Sequence, residues 1–161
     1  MVQNKNYLCL IVGDPKGHED YLKRLNKKIK DNNLESLVKI GDNITDMPAG
    51  YMLADIVISS STRGEAFGRV VPEAQAMKKM VIATSIGGSL ETVIDGETGW
   101  LVKVEDKKKF AETIDMILNM SNEEKTKIGE VARQHIVDNY TTEKMCYKTV
   151  KVYEELLNKD K

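Results

Sequence analysis

Short apolar runs, each followed by a segment with helical periodicity, constrain the fold of this chain more than any other feature. The runs are "YLCLIV", "LVKI", "DIVIS", "MVIAT" and "GWLV". They are rich in Val, Ile and Leu, without the polar alternation of a strand that has one face in water, which is typical of a parallel sheet covered on both faces by helices. The sequence therefore predicts an α/β fold with a Rossmann-like, doubly wound parallel sheet.

The chain after Lys103 has the pattern of helix throughout. Apolar residues recur there at helical spacing in three groups, which begin at Phe110, Ile128 and Val150. A length of 161 residues fits one domain, and neither a linker nor an internal repeat divides it. We therefore expect a single domain over residues 1–161 with a helical C-terminus.

Composition argues against several classes of partner. The chain has 24 Lys and Arg against 25 Asp and Glu, so it lacks the positive charge that attracts nucleic acid or an anionic membrane. No apolar run approaches the roughly 20 residues of a membrane span. Cys9 and Cys146 fit neither a metal-ligand spacing nor a disulfide framework, so we expect both to be buried and reduced in a cytoplasmic protein.

The segment "SSTRGEAFGRVVPEAQA", from Ser60 to Ala76, follows the predicted strand "DIVIS". Pro72 is tolerated only in the first turn of a helix, so the next helix begins within a few residues before it. Glu65 is then in the loop at the carboxyl end of the strand, and Glu73 is early in the helix. Ligands bind at this edge of open parallel sheets.

The chemistry of the segment suits a nucleotide. Backbone amides from Gly68 to Val71 would be unpaired donors at the positive end of the helix, where a phosphate or diphosphate binds. The carboxylate of Glu73 can accept both hydroxyls of a ribose. Seven residues separate Glu65 from Glu73, a Glu-x7-Glu spacing that is not specific by itself. Glu97 and Glu105 have the same spacing, but no helix N-terminus follows them.

Several motifs in order carry a resemblance to a known family. They are "EAFGRVVPE", the "EAQAM" that continues it, "VIATSIGG" followed by Glu91, "DGETGWLV", "YTTEKM" and "VYEELL". Over nearly its whole length the chain resembles the C-terminal, donor-binding domain of the family-4 (group 1) retaining glycosyltransferases, which is one half of a GT-B fold. The resemblance implies a nucleotide-sugar donor, hexosyl transfer, and no cofactor or metal.

The resemblance also implies roles for individual residues. Glu73 would hold the ribose hydroxyls, and Glu65 would act catalytically near the donor sugar, where a carboxylate stabilises an oxocarbenium-like transition state. The backbone of Phe67 and Gly68 would approach the sugar and diphosphate. Gly87 and Gly88, with the loops that contain Asp14 and Asp42, would line the same pocket more loosely.

Two departures from the family pattern have structural consequences. Lys78 and Met80 stand where the family has the glycine that ends the helix and the proline before the next strand, so the helix needs another C-terminal cap.

The acceptor-binding domain and the usual first strand-helix unit, which supplies the basic residues that bind the diphosphate, have no counterpart here. Lys16, Arg63 and Arg69 are the nearby substitutes. Without the first strand, "LCLIV" and "DIVIS" should either pair directly or leave an opening, which self-association would cover.

Three function classes remain open at this point. The first is a glycosyltransferase domain, completed by a separate acceptor-binding chain, that transfers sugar to a glycan, lipopolysaccharide or capsular polysaccharide and meets membranes peripherally through a glycolipid acceptor. The second is a non-catalytic nucleotide or sugar-nucleotide binding module. The third, a flavodoxin-like or dinucleotide-binding protein, is disfavoured because neither G-x-G-x-x-G nor a P-loop follows the first strand.

Overall fold

The computed structural model describes residues 2–3 and 6–159. Strands and helices alternate up to the last strand, and helices follow it, as the apolar runs predict. The strands are β1 (Cys9–Val12), β2 (Val38–Gly41), β3 (Ile56–Ser59), β4 (Met80–Thr84) and β5 (Trp100–Val102). The helices are α1 (Glu19–Asp31), α2 (Met47–Leu53), α3 (Val70–Ala76), α4 (Ser89–Thr92), α5 (Lys107–Leu118), α6 (Asn122–Asn139) and α7 (Thr142–Lys159).

All strand pairs between named strands are parallel, which confirms the predicted fold class. β3 pairs with β4, where Ile58 lies opposite Ile82, and β4 pairs with β5, where Ile82 lies opposite Trp100. β1 pairs with β2, where Ile11 lies opposite Ile40. The carboxyl ends of β3, β4 and β5 therefore meet at one edge of their sheet.

Burial on both faces explains why the sequence of β4 is apolar without alternation. All five of its residues are buried. Val81 and Ala83 pack with Val71 and Ala74 of α3 in one core cluster. Met80 and Ile82, on the other face, pack with a second cluster that includes Val102 and Ile117. Helices cover both faces of this sheet, as its apolar strands predict.

The predicted single sheet is divided into two. β1 and β2 form a two-stranded sheet, and β3, β4 and β5 form a three-stranded sheet. Within the described residues no strand pairing joins β1 to β3, so the chain shows the opening and not the direct pairing. Leu8, Leu10 and Val12, which share one face of the first strand, are exposed by 66%, 55% and 38%. That face therefore lacks the cover that a doubly wound sheet would have.

The C-terminus of α3 is capped without glycine. Lys78 has a φ of +60°, its amide donates to the carbonyl of Gln75, and the amide of Lys79 donates to the carbonyl of Ala74. These two bonds form a Schellman motif with a lysine at the left-handed position. α6 packs against this turn, and a Cβ at Gly129 would lie 2.6 Å from the carbonyl oxygen of Lys78. Lys78 thus takes the left-handed conformation in which glycine commonly ends a helix.

Two further predictions concern the chain as a whole. Among the described residues, no helix is both long enough and apolar enough to cross a membrane. The prediction that both cysteines are buried is wrong: Cys9 is half-buried and Cys146, on α7, is exposed. Most apolar side chains of α7 also face solvent, so Cys146 shares the exposure of the helix that carries it.

Candidate functional site

The two glutamates lie where the sequence predicts them. β3 ends at Ser59, a loop spans residues 60–69, and α3 begins at Val70, two residues before Pro72. Glu65 is exposed in this loop, and Glu73 is in the first turn of α3. The strand, loop and helix thus bring both carboxylates to the carboxyl edge of the three-stranded sheet.

Glu73 is held by a donor on each carboxylate oxygen. The hydroxyl of Tyr51, on α2, donates to Oε2 over 3.0 Å. Arg69, one turn before Glu73, contacts Oε1 through Nε at 2.9 Å and Nη2 at 2.8 Å. The Glu73 side chain is 34% exposed and that of Arg69 is 83% exposed. One donor is therefore buried and the other is in solvent.

Tyr51 keeps its proton over the ordinary pH range. Burial of the ring, with the hydrogen bond and the charge of Glu73 adding to it, raises the pKa of the Tyr51 hydroxyl to about 12. A neutral phenol beside a carboxylate donates its proton to the hydrogen bond. The orientation of Glu73 is thus fixed from the core side.

Glu65 is fixed inside its own loop. The hydroxyl of Ser61 donates to its Oε1 over 2.6 Å. Gly68 has a φ of +72°, and a Cβ there would lie 3.3 Å from Oε2 of Glu65. The glycine thus gives the loop a left-handed residue and leaves room for this carboxylate.

Phe67 anchors the loop to the end of α6. Its ring lies 5.8 Å from that of Tyr140, centroid to centroid, and the Tyr140 hydroxyl donates to the carbonyl of Glu91 over 2.6 Å. Phe67 remains 39% exposed. The loop is therefore supported by residues far along the chain while its outer surface stays open.

Gly87 and Gly88 pack against the loop instead of leaving an open wall. The amide of Gly88 donates to the carbonyl of Glu65 over 3.0 Å. A Cβ on Gly88 would collide with the backbone of Phe67, and one on Gly87 would collide with that of Glu65. These two glycines set the position of the loop, which is a closer role than the loose pocket lining that the sequence predicts.

The predicted amide donors are present with one exception. Within the described part of the chain, the amides of Gly68, Arg69 and Val70 have no protein acceptor. The prediction fails for Val71, whose amide donates to the carbonyl of Gly68 over 3.2 Å. The loop forms a turn there before α3 begins. Three neighbouring donors thus face away from protein acceptors beside the two glutamates.

Of the three basic candidates, Arg69 is the one that contacts a glutamate among the described residues. Lys16 lies in the loop after β1, where its amide donates to Asp14, and within the described part of the chain no ion pair joins Lys16 or Arg63 to the site. Nor do residues 2–3 and 6–159 bring together three His, Cys, Asp or Glu side chains suited to a metal ion.

Sequence reasoning missed Tyr51, Ser61 and Tyr140. Ser61 lies four residues before Glu65, so this contact is local in the sequence. The contacts of Tyr51 and Tyr140 have no local signal. Their partners lie 22 and 49 residues away, so the contacts exist only once α2, α3 and α6 have packed.

The sequence profile of one family, described as "Glycosyl transferases group 1", matches residues 1–135. The chain belongs to this family. The resemblance seen in the motifs around Glu65 and Glu73 is thereby confirmed, and so is the α/β fold of the donor-binding half of these proteins.

Three related proteins show how far the similarity extends. A glycosyltransferase from Rickettsia africae ESF-5 has 35% sequence identity and a TM-score of 0.91, covering 96% of this chain and 41% of the other. HepE from Anabaena, solved in complex with UDP and glucose, has 28% identity and a TM-score of 0.84, covering 92% and 40%. The uncharacterized glycosyltransferase MJ1178 of Methanocaldococcus jannaschii is 32% identical over 91% of this chain and 40% of its own length. The chain thus spans about two fifths of each of these proteins.

Proposed function

We propose that this chain binds the nucleotide-sugar donor of a retaining, hexosyltransferase-type glycosyltransferase. The observation that carries the proposal is the placement of Glu65 and Glu73 at the carboxyl edge of the sheet, with Glu73 held between Tyr51 and Arg69. HepE, which shares this fold, was solved in complex with UDP and glucose. Both the geometry and the family favour a nucleotide sugar over other ligands of α/β domains.

Glu73 is the residue that we assign to the ribose. Each of its carboxylate oxygens has two lone pairs, and the bond from Tyr51 uses one lone pair of Oε2. Arg69 is on the solvent side and can leave Oε1 at low cost, since an exposed ion pair contributes about 0–1 kcal/mol. The two ribose hydroxyls can then donate to Oε1 and to the free lone pair of Oε2.

The loop supplies the remaining donor contacts. The amides of Gly68, Arg69 and Val70 are available to the diphosphate, and the side chain of Arg69 can neutralise its charge once it leaves Glu73. Glu65 lies at the sugar end, where its carboxylate positions hydroxyls and stabilises positive charge that develops at the anomeric carbon. No metal is part of this scheme.

Transfer needs a second wall for the acceptor. We infer that a separate domain or chain provides it, with a glycan, lipopolysaccharide or capsular polysaccharide as acceptor and a glycolipid as the route to peripheral membrane association. A cytoplasmic location suits the two unpaired cysteines, Cys9 and Cys146. Self-association over the uncovered face of β1 belongs to the same proposal, because it would bury Leu8 and Leu10.

The nucleotide proposal is tested by titration calorimetry with UDP, GDP, ADP and UDP-glucose. We expect one of them to bind, and Glu73→Gln to weaken that binding about tenfold, because the amide replaces one charged acceptor by a donor. Glu97→Gln, at an exposed turn outside the site, is the matched control and should bind as the wild type does. Equal affinities for the wild type and Glu73→Gln would refute the ribose assignment.

A further inference from the structure

Tyr51 combines a ring in the core with a hydroxyl at the site. Tyr51 is 4% exposed, and its ring belongs to the core cluster that contains Val71 and Ala74 of α3. Those two residues flank the turn that carries Glu73. The hydroxyl reaches past them to Oε2 of Glu73 at 3.0 Å. The same side chain thus packs under α3 and contacts the carboxylate that α3 presents.

The hydroxyl is not required for the packing of the core. A phenyl ring would fill the same space among Val71 and Ala74, and burying a hydroxyl has a desolvation cost that only a hydrogen bond offsets. The acceptor that offsets it is Glu73, a partly exposed carboxylate, and not a backbone group of the core. A purely structural tyrosine would gain little from that choice of partner.

The two donors on Glu73 differ in how firmly they are held. Tyr51 is fixed by the core, whereas the Arg69 side chain is 83% exposed and, among the described residues, it makes its hydrogen bond and ion pair with Glu73 alone. When the arginine leaves Oε1, the contact from Tyr51 is the one that still restrains the carboxylate. Without it, Glu73 would be free to rotate and to follow Arg69 into solvent.

We propose that Tyr51 is a positioning residue for ribose recognition: its hydroxyl orients the Glu73 carboxylate so that Oε1 and the second lone pair of Oε2 face the ribose diol. The proposal rests on the ribose role of Glu73 given above and adds a residue outside the Glu-x7-Glu segment. Tyr51 acts through Glu73 and does not itself touch the nucleotide.

The test is a cycle between the protein hydroxyl and the ligand hydroxyls. The probe is whichever of UDP, GDP and ADP the wild type binds most tightly, compared with its 2′,3′-dideoxy analogue by calorimetry. Tyr51→Phe should bind the ribonucleotide about 3- to 10-fold more weakly than the wild type. It should bind the dideoxy analogue with unchanged affinity, because that ligand has no diol for Glu73 to recognise.

Two control variants make the outcome decisive. Glu73→Gln should weaken ribonucleotide binding at least as much as Tyr51→Phe does, and the double variant should lose no more than Glu73→Gln alone, since both changes remove one function. Circular dichroism and thermal melting check that Tyr51→Phe is folded. If it is not, Tyr51→Met, which also fills the core without a hydroxyl, carries the same expectation.

The possible failures are distinguishable. If Glu73→Gln weakens ribonucleotide binding and Tyr51→Phe does not, the positioning role is wrong and the proposed function stands. Equal losses of both ligands in Tyr51→Phe would show a general structural effect and also overturn the role. If no nucleotide binds, or Glu73→Gln has no effect, the proposed function fails and this inference fails with it.

Discussion

Glu73 owes its orientation to two residues of very different exposure, the buried Tyr51 and the exposed Arg69. A carboxylate with a fixed donor on one oxygen is already turned for a ligand, so less rotational freedom is lost on binding. Glu65 is restrained differently, by Ser61 within its own loop. The first glutamate thus depends on the loop and the second depends on the core, and changes at each should have separable effects.

The tyrosine makes stability depend on pH in the alkaline range. Its pKa is about 12 in the folded chain, chiefly through burial and then through Glu73, with Arg69 acting in the opposite sense. In the unfolded chain a tyrosine ionises near pH 10. The unfolded state therefore loses its proton first, so the contribution of Tyr51 to stability is complete below about pH 10 and is lost as the pH rises toward 12.

Urea unfolding at pH 9 and at pH 11 measures this effect. Stability should fall between the two pH values, and the fall should be smaller in Tyr51→Phe. Tyr21→Phe removes a hydroxyl from a residue that is 60% exposed, and its stability should fall as much as that of the wild type. Identical falls in all three proteins would show that Tyr51 does not ionise differently in the folded and unfolded states.

At the level of elements, the short helix α3 connects the site to the core. Its N-terminal side carries Arg69 and Glu73, its inner face packs on β4, and its end is held by α6, from which Arg133 donates to the carbonyl of Ala76. Gln75, fully buried, donates to the carbonyl and the hydroxyl of Thr98 just before β5. α3 is therefore attached on three sides, which suits a helix that must present a carboxylate in one place.

The C-terminal turn of α3 offers a test of its capping. Lys78 is in the left-handed region, where a side chain costs roughly 1–2 kcal/mol and glycine does not have this cost. We expect Lys78→Gly to be more stable than Lys78→Gln by about 1 kcal/mol in urea unfolding. The glutamine variant is the matched control, because it also lacks the ion pair that Lys78 makes with Glu130 at 2.5 Å but keeps the Cβ. If the glycine variant is no more stable than the glutamine variant, the backbone at residue 78 is not strained by a side chain.

The sequence predicts those helices and strands that are determined by residues close together in the chain. Pro72 places the start of α3, and the apolar run of β4 follows from burial on both faces. The positions of Glu65 and Glu73 follow from the order of strand, loop and helix. The partners of Glu73 and Phe67 could not be predicted in the same way, because Tyr51 and Tyr140 reach them only through the packing of separate helices. Nor does local pattern decide whether β1 pairs with β3, since both strands are apolar.

At the scale of the whole molecule, the proposed donor site is one open surface. Glu65 is exposed, and the loop that carries it is open to solvent on its outer surface. The chain spans about two fifths of its relatives, and under the proposed function its described residues hold the donor while the surface that holds the acceptor belongs to another domain or chain. Substrate positioning accounts for a large part of enzymatic rate, so binding and transfer should be separable in this protein.

We therefore expect purified residues 1–161 to bind donor but to transfer sugar negligibly. Turnover of UDP-glucose with a simple sugar acceptor should be at least about 100-fold slower than in a full-length relative, because the acceptor is not held in line with the donor carbon. The assay is release of UDP, with Glu65→Ala as the background. Rapid turnover that Glu65→Ala abolishes would show that this chain is sufficient for catalysis.

The division of the sheet has a consequence for how the molecule opens. Among the described residues from 6 to 50, Ile29 is the one residue that is buried, whereas every residue of β4 is buried. Amide protons of β1 and β2 should therefore exchange with solvent through local opening, while those of β4 exchange only when the whole chain unfolds. The loops that carry Asp14 and Asp42 belong to the less stable unit, so they can adjust to a ligand without disturbing the frame that holds Glu65 and Glu73.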